Sequence, residues 1–262
     1  IKNIEIVEPY ELSFNKLHVI DKAFISAFQE LISKITSVED SKKLKNIKID
    51  MIKSLVHSFS IVDEKFVDNN YFANFEVDFN KKNILKYLEK KNIFPSIPID
   101  KNIFVLPILI NLENDKISLF SENKFYTNWN QENEKYFLLK YILPNEDLED
   151  IKILQKRINN IEEYKFREII SKYNLADYII VIFFKNKKNI KVLSKVFLNN
   201  NLAILNRNFQ NINLNNDYLT NKIIYDLKLD YENQWKKQNL INTSINLSIT
   251  LSLDSKNIDL IG

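Results

Sequence analysis

Four carboxylates lie within five positions of the segment YILPNEDLEDIKIL, which covers residues 141–154. They are Glu146, Asp147, Glu149 and Asp150. Such a cluster could hold a divalent cation of the Mg²⁺ or Ca²⁺ type, or could supply the acid and the base of a hydrolase. Either chemistry needs further oxygens that converge from other segments, and no histidine adjoins the cluster to help.

The start of a helix explains the same four residues. Pro144 ends an apolar stretch, and Asn145 stands where a helix N-cap is expected. The acids then fall in the first turn, where free backbone N–H groups and the helix dipole stabilise each carboxylate by about 0.3–1 kcal/mol. We therefore predict a helix start here, with the cation site and the acid–base pair as alternatives.

Residues that enzymes commonly use are scarce in this chain. Gly262 is its single glycine, and phosphate-binding loops and G-x-S-x-G elbows need backbone that only glycine allows. Asparagine and aspartate must then occupy the left-handed turn positions. Cysteine is absent, and the two histidines are His18 and His57, which excludes thiolate nucleophiles and histidine-rich metal sites. We predict no cofactor, no bound metal and no catalytic residue.

Charge gives little support for a nucleic-acid partner. The chain carries 37 basic and 34 acidic residues, for a net charge of +3. The lysines of KNKKNIK, residues 185–191, could form a phosphate-binding patch or a solvated turn. Arginine, whose forked guanidinium dominates specific base recognition, occurs only at Arg157, Arg167 and Arg207. We predict that the protein does not bind nucleic acid.

An aromatic segment offers a candidate partner-binding surface. Phe125, Tyr126 and Trp129 lie among polar residues in FYTNWN, which reads as a loop. Exposed aromatic side chains on loops are typical of binding surfaces. The alternative is that these rings cover one end of the hydrophobic core.

Hydrophobic periodicity divides the chain into two units and a terminal segment. Residues 1–95 predict the order β-α-α-β-β-α, a small α+β domain. The proline-containing FPSIPID, residues 94–100, interrupts this pattern. Residues 101–241 alternate strands and helices, which predicts an α/β sandwich with a mixed sheet. Residues 242–262 contain a strictly alternating strand, INLSITLSL, whose partner strand would come from a missing segment or from another chain.

Several segments occur in an order that resembles an uncharacterised envelope-protein family of Gram-negative bacteria. These are VLPILINL, an aromatic stretch, YILPNEDLEDIKIL and FREIISKYNLADYIIVIFF, preceded by FSIVDEKF and ANFEVDFNKKNILKYLEKKNI. The likeness covers about residues 50–220. The matching residues are Pro107, Trp129, Pro144, Asp147, Asp150, Tyr173, Ala176 and Asp177.

The second unit is also distantly similar to the amino-terminal domain of TolB and to the lipoprotein activators of penicillin-binding proteins. These resemblances imply a periplasmic protein that binds protein or peptide partners and has no catalytic residues. A leader removed before the first residue, Ile1, would fit such export. No apolar run reaches the length of a membrane-spanning helix.

We therefore expect a non-enzymatic periplasmic scaffold that binds a protein or peptide of the cell envelope. The alternative is a carboxylate-dependent hydrolase of envelope material, which would need two acids facing each other in a cleft. Partner identity and oligomeric state do not follow from the sequence.

Overall fold

The computed structural model describes residues 1–131, 136–214 and 216–241, and it confirms the predicted fold class. The predicted terminal strand at 245–253 lies outside the described residues. The strands are β1 (Ile4–Pro9), β2 (Val56–Val67), β3 (Asn70–Phe79), β4 (Lys101–Asn111), β5 (Lys116–Ser118), β6 (Leu139–Ile142), β7 (Tyr178–Asn186), β8 (Asn189–Leu198) and β9 (Asn201–Phe209). The α-helices are α1 (Lys16–Ile35), α2 (Val38–Lys43), α3 (Ile49–Leu55), α4 (Lys81–Glu89), α5 (Lys124–Asn128), α6 (Leu148–Gln155), α7 (Arg167–Ile170) and α8 (Asp217–Gln238). Single 3₁₀ turns cover Phe120–Glu122, Ile158–Asn160 and Ser171–Tyr173.

The first unit is a three-stranded antiparallel sheet of order β1-β3-β2 with helices on one face. Alternation along β3 buries Tyr71, Ala73, Phe75 and Val77 against α1, whereas the intervening side chains face the other side of the sheet. Asn15 caps α1 by accepting a hydrogen bond from the N–H of Leu17.

Three helices, not the predicted two, separate β1 from β2. The additional helix, α2, begins after the N-cap residue Ser37 and buries none of its residues. It therefore has no apolar stripe that periodicity could detect. For the next helix, α3, the pattern predicts residues 46–56, whereas the helix starts at Ile49 and ends at Leu55.

The second unit contains a six-stranded mixed sheet. Five strands follow the order β5-β4-β7-β8-β9, and β6 pairs with β4. Strand β4 runs parallel to β6 and β7, and the remaining pairs are antiparallel. Helices α5 and α8 cover one face, and α6 and α7 cover the other. Because β4 and β7 are covered on both faces, their sequences are almost continuously apolar.

Pro107 lies at a gap in the edge of β4. The β6 pairing ends at Phe104 and the β5 pairing begins at Leu109, so neither strand reaches Pro107. The Pro107 carbonyl accepts a hydrogen bond of 3.0 Å from the Asn123 side-chain amide on this side of the strand. The missing proline N–H therefore faces the gap and leaves the β7 ladder intact, which explains how the strand accommodates a proline.

The sequence pattern predicts one helix over residues 162–173, and this prediction is wrong in its first half. Phe166 has a left-handed backbone with φ of 55°, which no α-helix accommodates. Helix α7 therefore begins at Arg167 and continues directly into the 3₁₀ turn.

Helix α8 extends from the second unit to the first. Its Lys236 ammonium donates to the carbonyl of Ser33 in α1, and its Asn233 side chain accepts from the N–H of Val38 at the start of α2. The Trp235 indole donates to the Ile99 carbonyl at 2.8 Å. Among the described residues, no helix is long and apolar enough to cross a membrane.

Glu232 on α8 is a fully buried carboxylate with two backbone partners. It accepts hydrogen bonds from the N–H groups of Leu138 at 2.9 Å and Leu139 at 2.7 Å, where β6 begins. Burial raises the pKa of Glu232, while these hydrogen bonds and the Lys236 ammonium, 4.0 Å away, oppose that rise. Burial also lowers the pKa of Lys236.

Fold stability should depend on the ionisation of Glu232. Because its folded pKa lies above the usual 4.5, its contribution is complete below that pH and is lost as pH rises through the folded pKa. Glu232→Gln has no charge to bury. The free energy of unfolding of the parent protein should therefore fall relative to that of Glu232→Gln as the pH rises above about 4.5.

Urea unfolding followed by tryptophan fluorescence measures this difference at each pH. Glu113→Gln, at an exposed position after β4, is the matched control and should show no such trend. A difference between Glu232→Gln and the parent that stays constant with pH would contradict the assignment.

Candidate functional site

Two of the three aromatic residues predicted to bind a partner are buried. Phe125 and Trp129 have no exposed surface, and the segment is helix α5, not a loop. The Phe125 ring stacks on Phe183 of β7, with centroids 3.6 Å apart. The expectation of an exposed aromatic surface is therefore wrong for these two residues. Their i, i+4 spacing places both on one helix face, but Phe183, which covers Phe125, is distant in the sequence.

Tyr126 is the member of this group that reaches the surface. Its side chain is half-buried, and its hydroxyl donates to the Pro144 carbonyl at 2.6 Å. This contact fixes the segment that leads into α6. The structure therefore gives Tyr126 a positioning contact and leaves part of its ring accessible.

The acidic cluster caps and anchors α6. Its N-cap is Asp147, not the predicted Asn145, because the Asp147 carboxylate accepts from the Glu149 N–H at 2.7 Å. Glu146 precedes the helix and accepts from the Ser121 N–H at 3.1 Å. The cluster thus begins a helix, as the sequence suggested, but two residues later.

Lys172 joins two acids of this cluster. Its ammonium donates to Asp147 at 2.5 Å and to Asp150 at 2.7 Å. Asp150 is 1% exposed, so the lysine is the counter-charge of a buried carboxylate. The hydrogen bond from Lys172 lowers the pKa of Asp147, and the two carboxylates raise the pKa of Lys172. Within the described ranges, no group of acids and histidines has the arrangement of a metal site.

The lysine-rich segment 185–191 covers the end of β7, the two-residue turn at Lys187 and Lys188, and the start of β8. Lys187 has a positive φ of 53°, and Lys187, Lys188 and Lys191 are exposed. This placement agrees with a solvated turn, and the absence of a nucleic-acid partner stays a prediction.

The first unit presents a long unpaired sheet edge. Strand β2 has 12 residues and pairs with β3 along one side, while its other side has no strand partner in the described part of the chain. The other free edges are shorter, with six residues in β1 and nine in β9. An unpaired edge exposes a row of backbone N–H and C=O groups to a second chain.

Apolar side chains line this edge. Phe59, Val62, Phe66 and Val67 are each between 44% and 59% exposed. Helix α1 lies over β1 and β3 and reaches β2 through contacts such as Phe24 on Phe59, with ring centroids 5.1 Å apart. The helix layer therefore ends before it covers the outermost strand.

Four aromatic rings form a cluster at one end of the edge. Tyr10 contacts Phe66 at 4.7 Å between centroids, Phe66 contacts Tyr71 at 5.0 Å, and Phe14 contacts both Tyr10 and Tyr71. Tyr10 and Phe66 are more than half exposed, whereas Tyr71 is buried. The cluster therefore presents two exposed rings on a fixed base, which suits an aromatic anchor site.

A polar contact holds the base of this cluster. The Tyr71 hydroxyl donates to Glu64 at 2.6 Å, and the Lys16 ammonium donates to the same carboxylate oxygen at 2.7 Å. Hydrogen bonds from Lys16 and Tyr71 lower the pKa of Glu64, and burial together with Glu64 raises the pKa of Tyr71 to about 12. The charge of Glu64 is therefore already matched by a cation of this chain.

A β-bulge divides the edge into two parts. The β2–β3 register shifts between Ile61 and Asp63, which leaves Val62 as the additional residue. Bulges increase local twist and interrupt pairing. A regular stretch remains at 63–67, next to the aromatic cluster. We define the β2 edge site as this stretch together with Phe59 and Tyr10.

The alternation in HSFSIVDEKFVD and YFANFEVDF, with DNN at 68–70 as the turn, predicts strand β2 and its hairpin, but it does not predict that β2 is an edge strand. Alternation reports which side chains share a face, whereas strand order depends on long-range pairing. No protein-family model matches the chain, and no curated protein is significantly similar to it. The resemblance to an envelope family stays a prediction.

Phe125→Ala should destabilise the protein by about 3–5 kcal/mol, because it leaves a cavity against Phe183 in a closed core. Phe66→Ala is the matched control and should cost about 1 kcal/mol, because this ring is more than half exposed. Chemical denaturation of the two variants measures both values. Equal losses would contradict the burial of α5.

Lys172→Gln should destabilise the protein by about 1.5–3 kcal/mol, because the buried Asp150 carboxylate loses its cationic partner. Adding Asp150→Asn removes that charge and should restore part of the loss, as a double-mutant cycle would show. Lys116→Gln, which breaks the exposed ion pair with Glu122, should cost less than about 0.5 kcal/mol. If the loss were unchanged in the double variant, Lys172 would not act through Asp150.

Proposed function

We propose that the protein is a non-enzymatic scaffold of the bacterial cell envelope that binds an extended protein or peptide segment at the β2 edge site. The observation that carries this proposal is the length and apolar character of the unpaired edge. The periplasm is the proposed compartment, on the sequence resemblance described above.

Strand addition is the mode of binding that this site favours. A peptide that adds to a sheet edge gains main-chain hydrogen bonds, and its alternate side chains fill neighbouring pockets. Proteins usually protect free edges with short strands, prolines or several lysines. Strand β2 is long and contains no proline, so its protection consists of the bulge at Val62 and the charged side chains Asp63, Glu64 and Lys65.

The chemistry of the site defines the partner segment. On the helix-facing side of β2, Phe59 and Phe66 present apolar surface, and Glu64 between them is paired with Lys16. A bound strand with aromatic or aliphatic side chains on that side would cover both rings, each contributing about 1 kcal/mol. A strongly charged segment would gain no such contact. The partner is therefore an extended, alternating and weakly charged segment.

The acid pair singled out by the sequence does not favour the alternative hydrolase. Asp147 and Asp150 hold Lys172 and the start of α6, so both carboxylates already have structural partners. A carboxylate pair that attacks a glycosidic bond must instead face a substrate cleft.

An array of decapeptides that alternate aromatic or aliphatic residues with serine or threonine tests the binding mode. Peptides should bind the intact protein. Two methylated versions of each peptide are compared, one N-methylated at the odd-numbered residues and one at the even-numbered residues. Only one of the two should lose binding, because only one set of N–H groups faces β2. Phe66→Lys should weaken binding by about tenfold or more, because it removes an anchor and adds a charge to the edge.

Ile204→Lys on the β9 edge is the matched control, since Ile204 is 57% exposed and should not affect peptide binding. Strand addition would be contradicted if both methylated versions of a peptide still bound, or if Phe66→Lys left binding unchanged. Recovery of the native protein in the cytoplasmic fraction of its own cells would contradict the envelope assignment.

A further inference from the structure

A cationic concavity opens between α3 and α4 on the first unit. It has a volume of about 750 Å³ and lies apart from the β2 edge site. Three kinds of side chain line it. The lysines are Lys48, Lys86, Lys90 and Lys91. The apolar or aromatic floor consists of Ile47, Met51, Leu55 and Tyr87, and the small polar residues are Asn46, Ser54 and Asn83.

The four lysines have no compensating acid at the site. No aspartate or glutamate lines the concavity, and none of these lysines forms an ion pair with a described residue. Because the whole chain has a net charge of only +3, this concentration of positive charge is local.

Helix electrostatics explains only part of this arrangement. Lys86 lies in the last turn of α4 and Lys90 is its C-cap, where cations are favourable. Lys48, however, is the N-cap of α3 and makes no side-chain capping bond. A lysine at that end opposes the helix dipole, and Lys86 and Lys90 repel each other at i, i+4 spacing. A bound anion would relieve both repulsions.

The floor of the concavity is apolar, which favours a ligand that has an apolar part. Met51 is 43% exposed, although its neighbours Ile52 and Leu55 are buried in the core. Tyr87 is half-buried and packs against that core. Lysine binds phosphate as a compact point charge, so the shortage of arginine does not weaken a phosphate site as it weakens base recognition.

We propose that this concavity binds a phosphate-bearing amphiphile, with the phosphate among Lys48, Lys86 and Lys90 and the apolar part against Met51 and Tyr87. The ligand is either the headgroup region of an anionic phospholipid or a soluble organic phosphate, which share this chemistry. The proposal does not rest on the β2 edge site.

Binding of three probes tests the proposal: hexyl phosphate, inorganic phosphate, and vesicles of phosphatidylglycerol compared with phosphatidylcholine. Hexyl phosphate should bind about tenfold or more tightly than inorganic phosphate, because only hexyl phosphate has an apolar part. Lys86→Gln/Lys90→Gln should weaken hexyl phosphate binding by about tenfold or more, because two cations near one phosphate are lost. Met51→Ser should weaken the binding of hexyl phosphate but not that of inorganic phosphate.

Lys187→Gln/Lys188→Gln is the matched control, because it removes the same charge at the exposed turn between β7 and β8. This control should change binding by no more than about twofold. Circular dichroism and thermal melting establish that each variant is folded. Vesicle binding that depends on Lys86 and Lys90 identifies a lipid headgroup as the source, and hexyl phosphate binding without vesicle binding identifies a soluble phosphate.

Equal loss of binding in the two double variants would show non-specific attraction to positive charge and would overturn the proposal. Equal affinity for inorganic and hexyl phosphate would overturn the amphiphile assignment. Failure of all three probes to bind the folded parent protein would overturn the site itself.

Discussion

Buried polar groups on α8 connect the two units of this protein. The Glu232 carboxylate accepts hydrogen bonds from the backbone N–H groups at the start of β6. The Lys236 ammonium, one turn later, donates to the carbonyl of Ser33 in the first unit. Removing either side chain would leave buried backbone groups without a hydrogen-bond partner, which would lower the free energy of unfolding. The position of the first unit relative to the sheet therefore depends on Lys236 of this helix together with the backbone contacts of residues 95–97 with Ile35 and with residues 239–241.

The near absence of glycine shapes the rest of the backbone. Residues with positive φ are mostly asparagine or aspartate, among them Asp68 and Asn69 in the β2–β3 hairpin and Asn199 and Asn200 in the β8–β9 hairpin. These side chains tolerate left-handed backbone better than other non-glycine residues. Hairpins thus form without glycine, and each of these two hairpins ends a sheet with a free strand, β2 or β9.

The two proposed sites are both surfaces of the first unit that its helix layer leaves open. At the β2 edge, Phe24 of α1 contacts Phe59, but Phe59 and Phe66 remain 44% and 58% exposed. Between α3 and α4, Met51 is 43% exposed beside lysines that form no ion pair with a described residue. In the second unit, by contrast, the aromatic residues Phe125 and Trp129 fill the space between α5 and the sheet. Whether an aromatic side chain lies in the core or at a proposed binding surface therefore depends on whether a helix covers that part of the sheet.

Local patterns in the sequence determined the class of fold, the hairpin turn at Asp68 and Asn69, the long helix α8 and the helix start at the acidic cluster. These features depend on periodicity, capping and turn chemistry, which act over a few residues. Tertiary structure decided the burial of Phe125 and Trp129, the choice of Asp147 as N-cap through Lys172, and the edge position of β2. Each of these depends on a partner at least 25 residues away or on strand order, and contacts at that distance leave no periodic trace in the sequence.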